Sequence, residues 1–246
     1  MVSAALVIIG NEILSGRTKD ANLSFLAGRL NTLGIQLREA RVVPDVEGEI
    51  VAAVNECRAK HDYVFTTGGI GPTHDDITAA AVASALGTAL ELNAEARRRL
   101  EAHYDDPSKL NEARLRMAHI PVGAELVDNP ISAAPGFRLE NVFVFAGVPA
   151  IMQAMFESVA PTLAGGATMI SRSVSAALAE GSIAAGLAAI QERYPAIDLG
   201  SYPRYSAAGY GVAIVARGPD GAQVDAAIAE VRALMRSLDA EPVEEG

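Results

Sequence analysis

One cysteine in 246 residues, Cys57, leaves no partner for a disulfide within the chain. It shares the apolar side of a helical stretch with Ile50 and Val54, so a packed core thiol is expected rather than a nucleophile or a metal ligand. Basic residues are also scarce. Twenty Lys and Arg stand against 30 Asp and Glu, giving a formal charge of -10 and a sequence pI near 4.9. Nucleic acid and anionic bilayers both require compensating positive charge, so neither is expected as a partner. No apolar run approaches a membrane span, and no charged start with an apolar centre marks a leader, so a cytoplasmic protein is expected. Serine-hydrolase machinery is missing as well. There is no G-x-S-x-G elbow, and His61, His103 and His119 lie at helix ends or in charged segments, where solvated or capping roles are expected. Apolar residues, by contrast, make up 50% of the chain, enough to build one large domain and a small one.

The densest chemical signal is Thr66-Thr67-Gly68-Gly69-Ile70-Gly71-Pro72-Thr73-His74-Asp75-Asp76. The apolar run Tyr63-Val64-Phe65 before it reads as a buried strand, and residues 77–86 after it read as a helix. Three glycines in four residues permit positive φ and leave no Cβ in the way, so backbone N–H groups can converge on an oxyanion beside a helix start. Asp75 and Asp76 would repel a bare phosphate. A divalent, Mg-like cation between carboxylate and phosphate oxygens resolves that conflict, and hard oxygen donors suit it better than a transition metal. The plain alternative is a glycine turn with an acidic helix start.

A second polar turn, Gly10-Asn11-Glu12-Ile13-Leu14-Ser15-Gly16-Arg17-Thr18-Lys19-Asp20-Ala21-Asn22, follows the apolar residues 4–9. In a parallel sheet both turns lie at carboxyl ends of strands and should face one crevice, with Arg17 and Lys19 available to an anion. Asp45 closes a third strand, Val42-Val43, just before a helix over 46–58; helix capping is its plain alternative. Residues 142–145 form a further strand before the turn Ala146-Gly147-Val148-Pro149. Leu23, Leu26, Leu30 and Leu33 form one stripe of a helix over 21–33, and Asp20 is placed to cap it. Repeated βα order predicts an α/β fold with a mostly parallel sheet and helices on both faces. Residues 94–118 read as a charged, helical excursion broken at 104–107 that could cap the crevice, with Asn111, Arg114 and Arg116 on a solvated face. Gly165-Gly166 marks a boundary, giving domains 1–165 and 166–246. The second reads as a small α+β (βαββα) layer over 167–176, 182–194, 197–202, 210–216 and 223–238. Tyr202 and Tyr205 are expected to serve its packing, a structural or homo-oligomeric role is expected for it, and an acidic 239–246 tail should fray.

The order GNEILSG, VVPD, TTGGIGPTHDD, NPISAAPGF and FAGVPAIM resembles the MoaB/Mog molybdopterin-binding fold over residues 3–165. It is most similar to the version at the N-terminus of CinA-type competence- and damage-inducible proteins, and it is also similar to the molybdopterin-binding-like domain of FAD synthetases. Gly200-Ser201-Tyr202-Pro203 resembles the tail of the same subfamily. The resemblance implies ligand contacts from Gly10, Asn11, Glu12, Ser15, Gly16, Thr67, Gly68, Gly69, Gly71, Pro72 and Thr73. It extends them to Pro135, Gly136, Gly147 and Pro149, with the rigid loop 130–136 beside the ligand. Catalytic or metal-binding roles fall to Asp45, Asp75 and Asp76. Ile70 stands where molybdopterin adenylyltransferases usually carry Thr, and His74 where they carry basic or small residues, so adenylyl transfer ranks second. The amide-hydrolysing domain of full CinA-type proteins, and hence nicotinamide mononucleotide deamidation, is not expected here. The resulting expectation is hydrolysis of a nucleoside-diphosphate-linked compound such as ADP-ribose or FAD. Molybdopterin as ligand and a non-catalytic, nucleotide-responsive interaction module are the alternatives.

Overall fold

Residues 4–9 carry no polar side chain, and both faces of that stretch are buried, as the central strand of a sheet with helices on two sides demands. The computed structural model describes residues 2–104, 109–206 and 209–245; the expected break at Asp105, Asp106 and Pro107 lies outside them. Two compact units divide at Gly166 and Ala167.

The first unit begins with strand β1 (Val2–Ile9), the short helix α1 (Asn11–Leu14), helix α2 (Asn22–Thr32), strand β2 (Ile35–Val43), helix α3 (Glu47–Lys60) and strand β3 (Tyr63–Thr67). Helix α4 (Thr78–Ala85), strand β4 (Leu90–Leu92), helices α5 (Ala94–His103) and α6 (Glu112–Leu115), and a 3-10 turn at Arg116–Ala118 follow. Strands β5 (His119–Pro121), β6 (Glu125–Val127), β7 (Gly136–Leu139) and β8 (Val142–Phe145) then lead to helix α7 (Pro149–Val159). The main sheet runs β2-β1-β3-β8-β7-β6, its first four strands parallel and the last two antiparallel. One core packs Ile50, Val54, Cys57, Val64, Val82 and Phe137 on one face; the other packs Leu26, Leu30, Phe65, Phe143, Phe145 and Phe156. Burial pushes the Cys57 thiol up, away from the ionised form a nucleophile requires.

Local expectations fail where long-range packing decides. Leu23 points to solvent, and the buried face of α2 is Asn22, Leu26 and Leu30 instead. Asp20 still accepts the Leu23 N–H at 2.8 Å. His61 is not solvated: its imidazole lies 3.2 Å from Glu39 and is mostly buried. Arg41 and His61 together hold the Glu39 carboxyl below its ordinary range.

The second unit adds strand β9 (Ile170–Ala176), helix α8 (Glu180–Arg193), strands β10 (Asp198–Ser206) and β11 (Gly209–Gly218), helix α9 (Gly221–Ser237) and strand β12 (Val243–Glu245). Its antiparallel order β10-β11-β9-β12 makes a ferredoxin-like βαββαβ unit. The acidic tail expected to fray supplies β12, whose backbone pairs with β9 and whose Glu244 meets Arg232 at 2.5 Å. Tyr202 and Tyr205 do not form the expected packed pair. Both are exposed, and the Tyr205 ring meets Tyr210 at 4.2 Å between centroids.

Candidate functional site

The chain leaves β1 toward β2 on one side and later places β3 on the other, so the switch point of the parallel sheet lies at β1 and β3. The turns after β2, β1, β3 and β8 meet there. Gly10 N–H donates to the Val43 carbonyl at 3.1 Å, and Asn11 N–H donates to Oδ2 of Asp45 at 2.9 Å. Gly68 and Gly69 have φ of 102° and 68°, the left-handed region that favours glycine. A Cβ on Gly68 would stand 2.2 Å from the Ile9 carbonyl oxygen, and one on Gly147 would stand 3.2 Å from Gly68 Cα. Asn22 Nδ2 closes the series by donating to the Gly147 carbonyl at 2.9 Å. The floor of the crevice is therefore bare main chain, held from four sides.

Two side chains shape the glycine turn. Thr78, fully buried at the start of α4, donates its hydroxyl to the Gly68 carbonyl at 2.9 Å, and its N–H donates to the Gly69 carbonyl at 2.9 Å. Asp76 accepts the Thr73 N–H at 2.8 Å and the Thr73 hydroxyl, tightening the loop before α4. Asp75 is exposed at the rim of the same loop. We expect Thr78→Val to lower stability by about 1–2 kcal/mol, because it removes a buried donor and keeps the side-chain shape. Its affinity for pyrophosphate should fall as well. An unchanged thermal midpoint would show that the hydroxyl does not brace the turn.

The sequence-derived residues divide by position. Gly10 and Gly68 are buried in the floor; Gly69, Gly71 and Pro72 line the partly open turn, and Glu12 reaches back so that its carboxylate lies where a Gly10 Cβ would project. Ser15, Gly16, Thr73 and Pro149 are exposed around it; Ser15 Oγ donates to the Glu12 carbonyl at 3.2 Å. Thr67 faces inward from β3 and is 1% exposed, so its side chain belongs to the interior rather than the crevice surface. Gly136 sits inside β7, where a Cβ would be 2.3 Å from the Val144 carbonyl oxygen; its glycine serves strand pairing. In the 130–136 loop, buried Asn129 bonds through its side chain to Ile131, Ser132 and Ala134.

Asp45 is a correction to its plain alternative. It does not cap α3 (Glu47–Lys60), whose N-cap is Val46 with no side-chain hydrogen bond; it holds α1 instead. Among the described residues no three His, Cys, Asp or Glu side chains gather where they could hold a metal ion, so Asp45, Asp75 and Asp76 do not form one cluster. That donor set does not suit a closed protein cage. It suits an Mg-like ion, which uses one or two carboxylates and completes its shell with water and phosphate oxygens.

A cavity of about 280 Å³ opens beside the turn, bounded by Gly69, Gly71, Asp76, Arg116, His119 and Pro135. The pairing of β4 with β5 brings Arg116 and His119 there; Arg116 lies on the 94–118 excursion, read in sequence as able to cap the crevice but with Arg116 on a solvated face. The separation of both residues from the glycine turn in the chain hides them from motif reading; Thr78 stands just past the motif and is missed because its bonds to the turn leave no sequence pattern.

Residues 5–165 match the family described as "Probable molybdopterin binding domain". The chain belongs to the molybdopterin-binding domain family. Residues 168–244 match "FAD synthase, middle domain". The first unit has the MoaB/Mog-like α/β fold and is CinA-like: the structure of the protein CinA from Thermoplasma acidophilum, described as of unknown function, superposes with a TM-score of 0.62 at 33% identity, covering 65% of this chain and 96% of that one. A protein of Pyrobaculum calidifontis is 42% identical over 162 residues, 64% of this chain and 62% of its own length. Protein TK1472 of Thermococcus kodakarensis is 42% identical over 168 residues, 63% of this chain and 66% of its own. The chain thus spans just under two thirds of the length of these relatives. No helix among the described residues is long and apolar enough to cross a membrane.

Proposed function

We propose that the crevice binds a small molecule bearing a pyrophosphate, together with an Mg-like cation, and hydrolyses a nucleoside-diphosphate-linked compound such as ADP-ribose or FAD. The observation that carries this reading is the pair of positive-φ glycines at the switch point, a turn of bare main chain that leads into α4. Bare backbone at such a turn admits phosphate oxygens as close as the main chain itself. The match to the FAD synthase middle domain favours a flavin dinucleotide among the candidates. Asp45 has one carboxylate oxygen on Asn11 and no partner for the other among the described residues, so Oδ1 is free to orient water and accept its proton. Water oxygen bonds to one phosphorus, the bridging P–O bond breaks, and the bridging oxygen leaves with the second phosphate. A cation held by Asp75 or Asp76 and the phosphates would neutralise charge in that transition. Molybdopterin binding is the second reading, favoured by the description of the family itself.

The test is incubation with ADP-ribose, FAD and related dinucleotides across a panel of divalent metals, with mononucleotides separated and quantified. Release of AMP, accompanied by ribose 5-phosphate or FMN, is expected with Mg²⁺ or a similar ion; no product with any metal retires the hydrolase. Asp75→Asn and Asp76→Asn should blunt the rise in affinity that added metal produces. If both retain the wild-type response, the carboxylates do not hold a cation.

A further inference from the structure

The cavity beside the glycine turn has walls that a phosphate would not select. Ile70 and Ile77 come from the turn and the start of α4, Met117 and Ile120 from the β4–β5 side, and Phe137 from β7. Two polar side chains in this apolar slot keep hydrogen-bonding capacity that no described residue uses. Arg116 is exposed and makes no ion pair or side-chain hydrogen bond among the described residues, whereas seven of the ten other arginines of this unit are paired with a carboxylate. His119 lies 3.3 Å from the Leu115 carbonyl through Nδ1. A carbonyl only accepts, so Nδ1 carries hydrogen, and Nε2 of the neutral ring is left as an acceptor.

We infer that this slot is the subsite for the planar nitrogen heterocycle of a nucleotide whose phosphate occupies the Gly68–Gly71 turn. The inference rests on that turn holding the phosphate. Apolar walls with a few convergent polar groups are how protein sites take ring systems, and Arg116 and His119 offer one donor and one acceptor to the ring edge. Gly69 and Gly71 belong to both the turn and the slot wall, so the slot adjoins the turn closely enough for one nucleotide to reach both. At about 280 Å³ the slot suits a purine or a folded-in flavin edge rather than a whole dinucleotide. The second half of a dinucleotide therefore extends from the turn toward the Gly10–Asp20 loop, where Arg17 and Lys19 are exposed.

The experiment compares AMP, FMN, ribose 5-phosphate and inorganic pyrophosphate by calorimetric titration in Mg²⁺, using the full chain. The wild type should bind AMP or FMN about tenfold or more tightly than ribose 5-phosphate, which carries the same phosphate and no ring. Ala80 is exposed on α4 and borders the slot, so Ala80→Phe fills the slot without disturbing the core. It should erase the ring-dependent gain and leave ribose 5-phosphate and pyrophosphate binding unchanged. Arg116→Gln should reduce the gain by about tenfold, the loss expected for one hydrogen bond to a charged donor. Equal affinity for AMP, FMN and ribose 5-phosphate in the wild type, or a ring-dependent gain that survives Ala80→Phe, overturns the subsite. Ring-dependent binding of AMP or FMN without any affinity for pyrophosphate or ribose 5-phosphate keeps the slot and overturns the phosphate cradle instead.

Discussion

Alanine at Gly68 should lower the thermal midpoint by about 10 °C and abolish the proposed pyrophosphate binding, whereas alanine at Gly71 should shift the midpoint by only about 2–3 °C. Both residues belong to the same glycine-rich string, and a reading by composition treats them alike. Their surroundings differ. Gly68 has φ of 102°, and a Cβ there would stand 2.2 Å from the Ile9 carbonyl oxygen, which is main chain of the central strand and cannot step aside. Left-handed strain of about 1–2 kcal/mol and overpacking of about 1–3 kcal/mol then act together. Gly71 has no positive φ, and its Cβ would meet the Asp76 carboxylate at 2.7 Å, a side chain that can rotate at the expense of its bonds to Thr73. Gly69→Ala falls between them: its φ is 68° and its Cβ would displace the Thr78 hydroxyl. Calorimetric scanning and pyrophosphate titration on the three variants give the ranking Gly68, Gly69, Gly71. If Gly68→Ala melts with the wild type and still binds pyrophosphate, the turn is not the locked cradle described here.

The parts of the fold legible in sequence are those in which one segment carries its own pattern. Residues 4–9 are continuously apolar because β1 is buried on both faces, and the glycine turn announces itself by composition. Gly136 shows the limit of that signal. Its glycine is demanded by the close approach of β8, and nothing local separates such a glycine from one lining a ligand loop. Strands β6 and β12 have three residues each, too few to display a period of two, and exist because a neighbouring strand pairs with them. Thr78 begins an alanine-rich helix that gives no hint of its two bonds to the glycine turn. Arg116 lies on the 94–118 excursion that the sequence offers as a cap for the crevice, but no local pattern assigns it or His119 a place beside the turn; the β4–β5 pairing does. The crevice is thus readable as a place, while the residues that decide what it holds arrive from elsewhere in the chain.

Asparagine at Asp45 should reduce turnover of ADP-ribose or FAD about 100-fold while leaving substrate affinity and the thermal midpoint close to wild type. The position of Asp45 permits this separation. Its Oδ2 accepts the Asn11 N–H at 2.9 Å and so ties the turn after β2 to the turn after β1. An asparagine side-chain oxygen can accept the same bond, so the tie survives the substitution. What asparagine cannot do is take a proton from water or offer negative charge while the bridging P–O bond breaks, contributions realised in the transition state more than in the bound substrate. A purely structural Asp45 predicts a different pattern: Asp45→Asn fully active, and Asp45→Ala less stable by about 1–2 kcal/mol for want of the acceptor. Measuring turnover, KM and thermal midpoint on both variants separates the two roles. Loss of turnover in Asp45→Asn with KM and midpoint preserved assigns the carboxylate to chemistry. Full turnover in Asp45→Asn together with an unstable Asp45→Ala leaves Asp45 as the clasp between two turns, and the attacking water must then be oriented by another group at the rim.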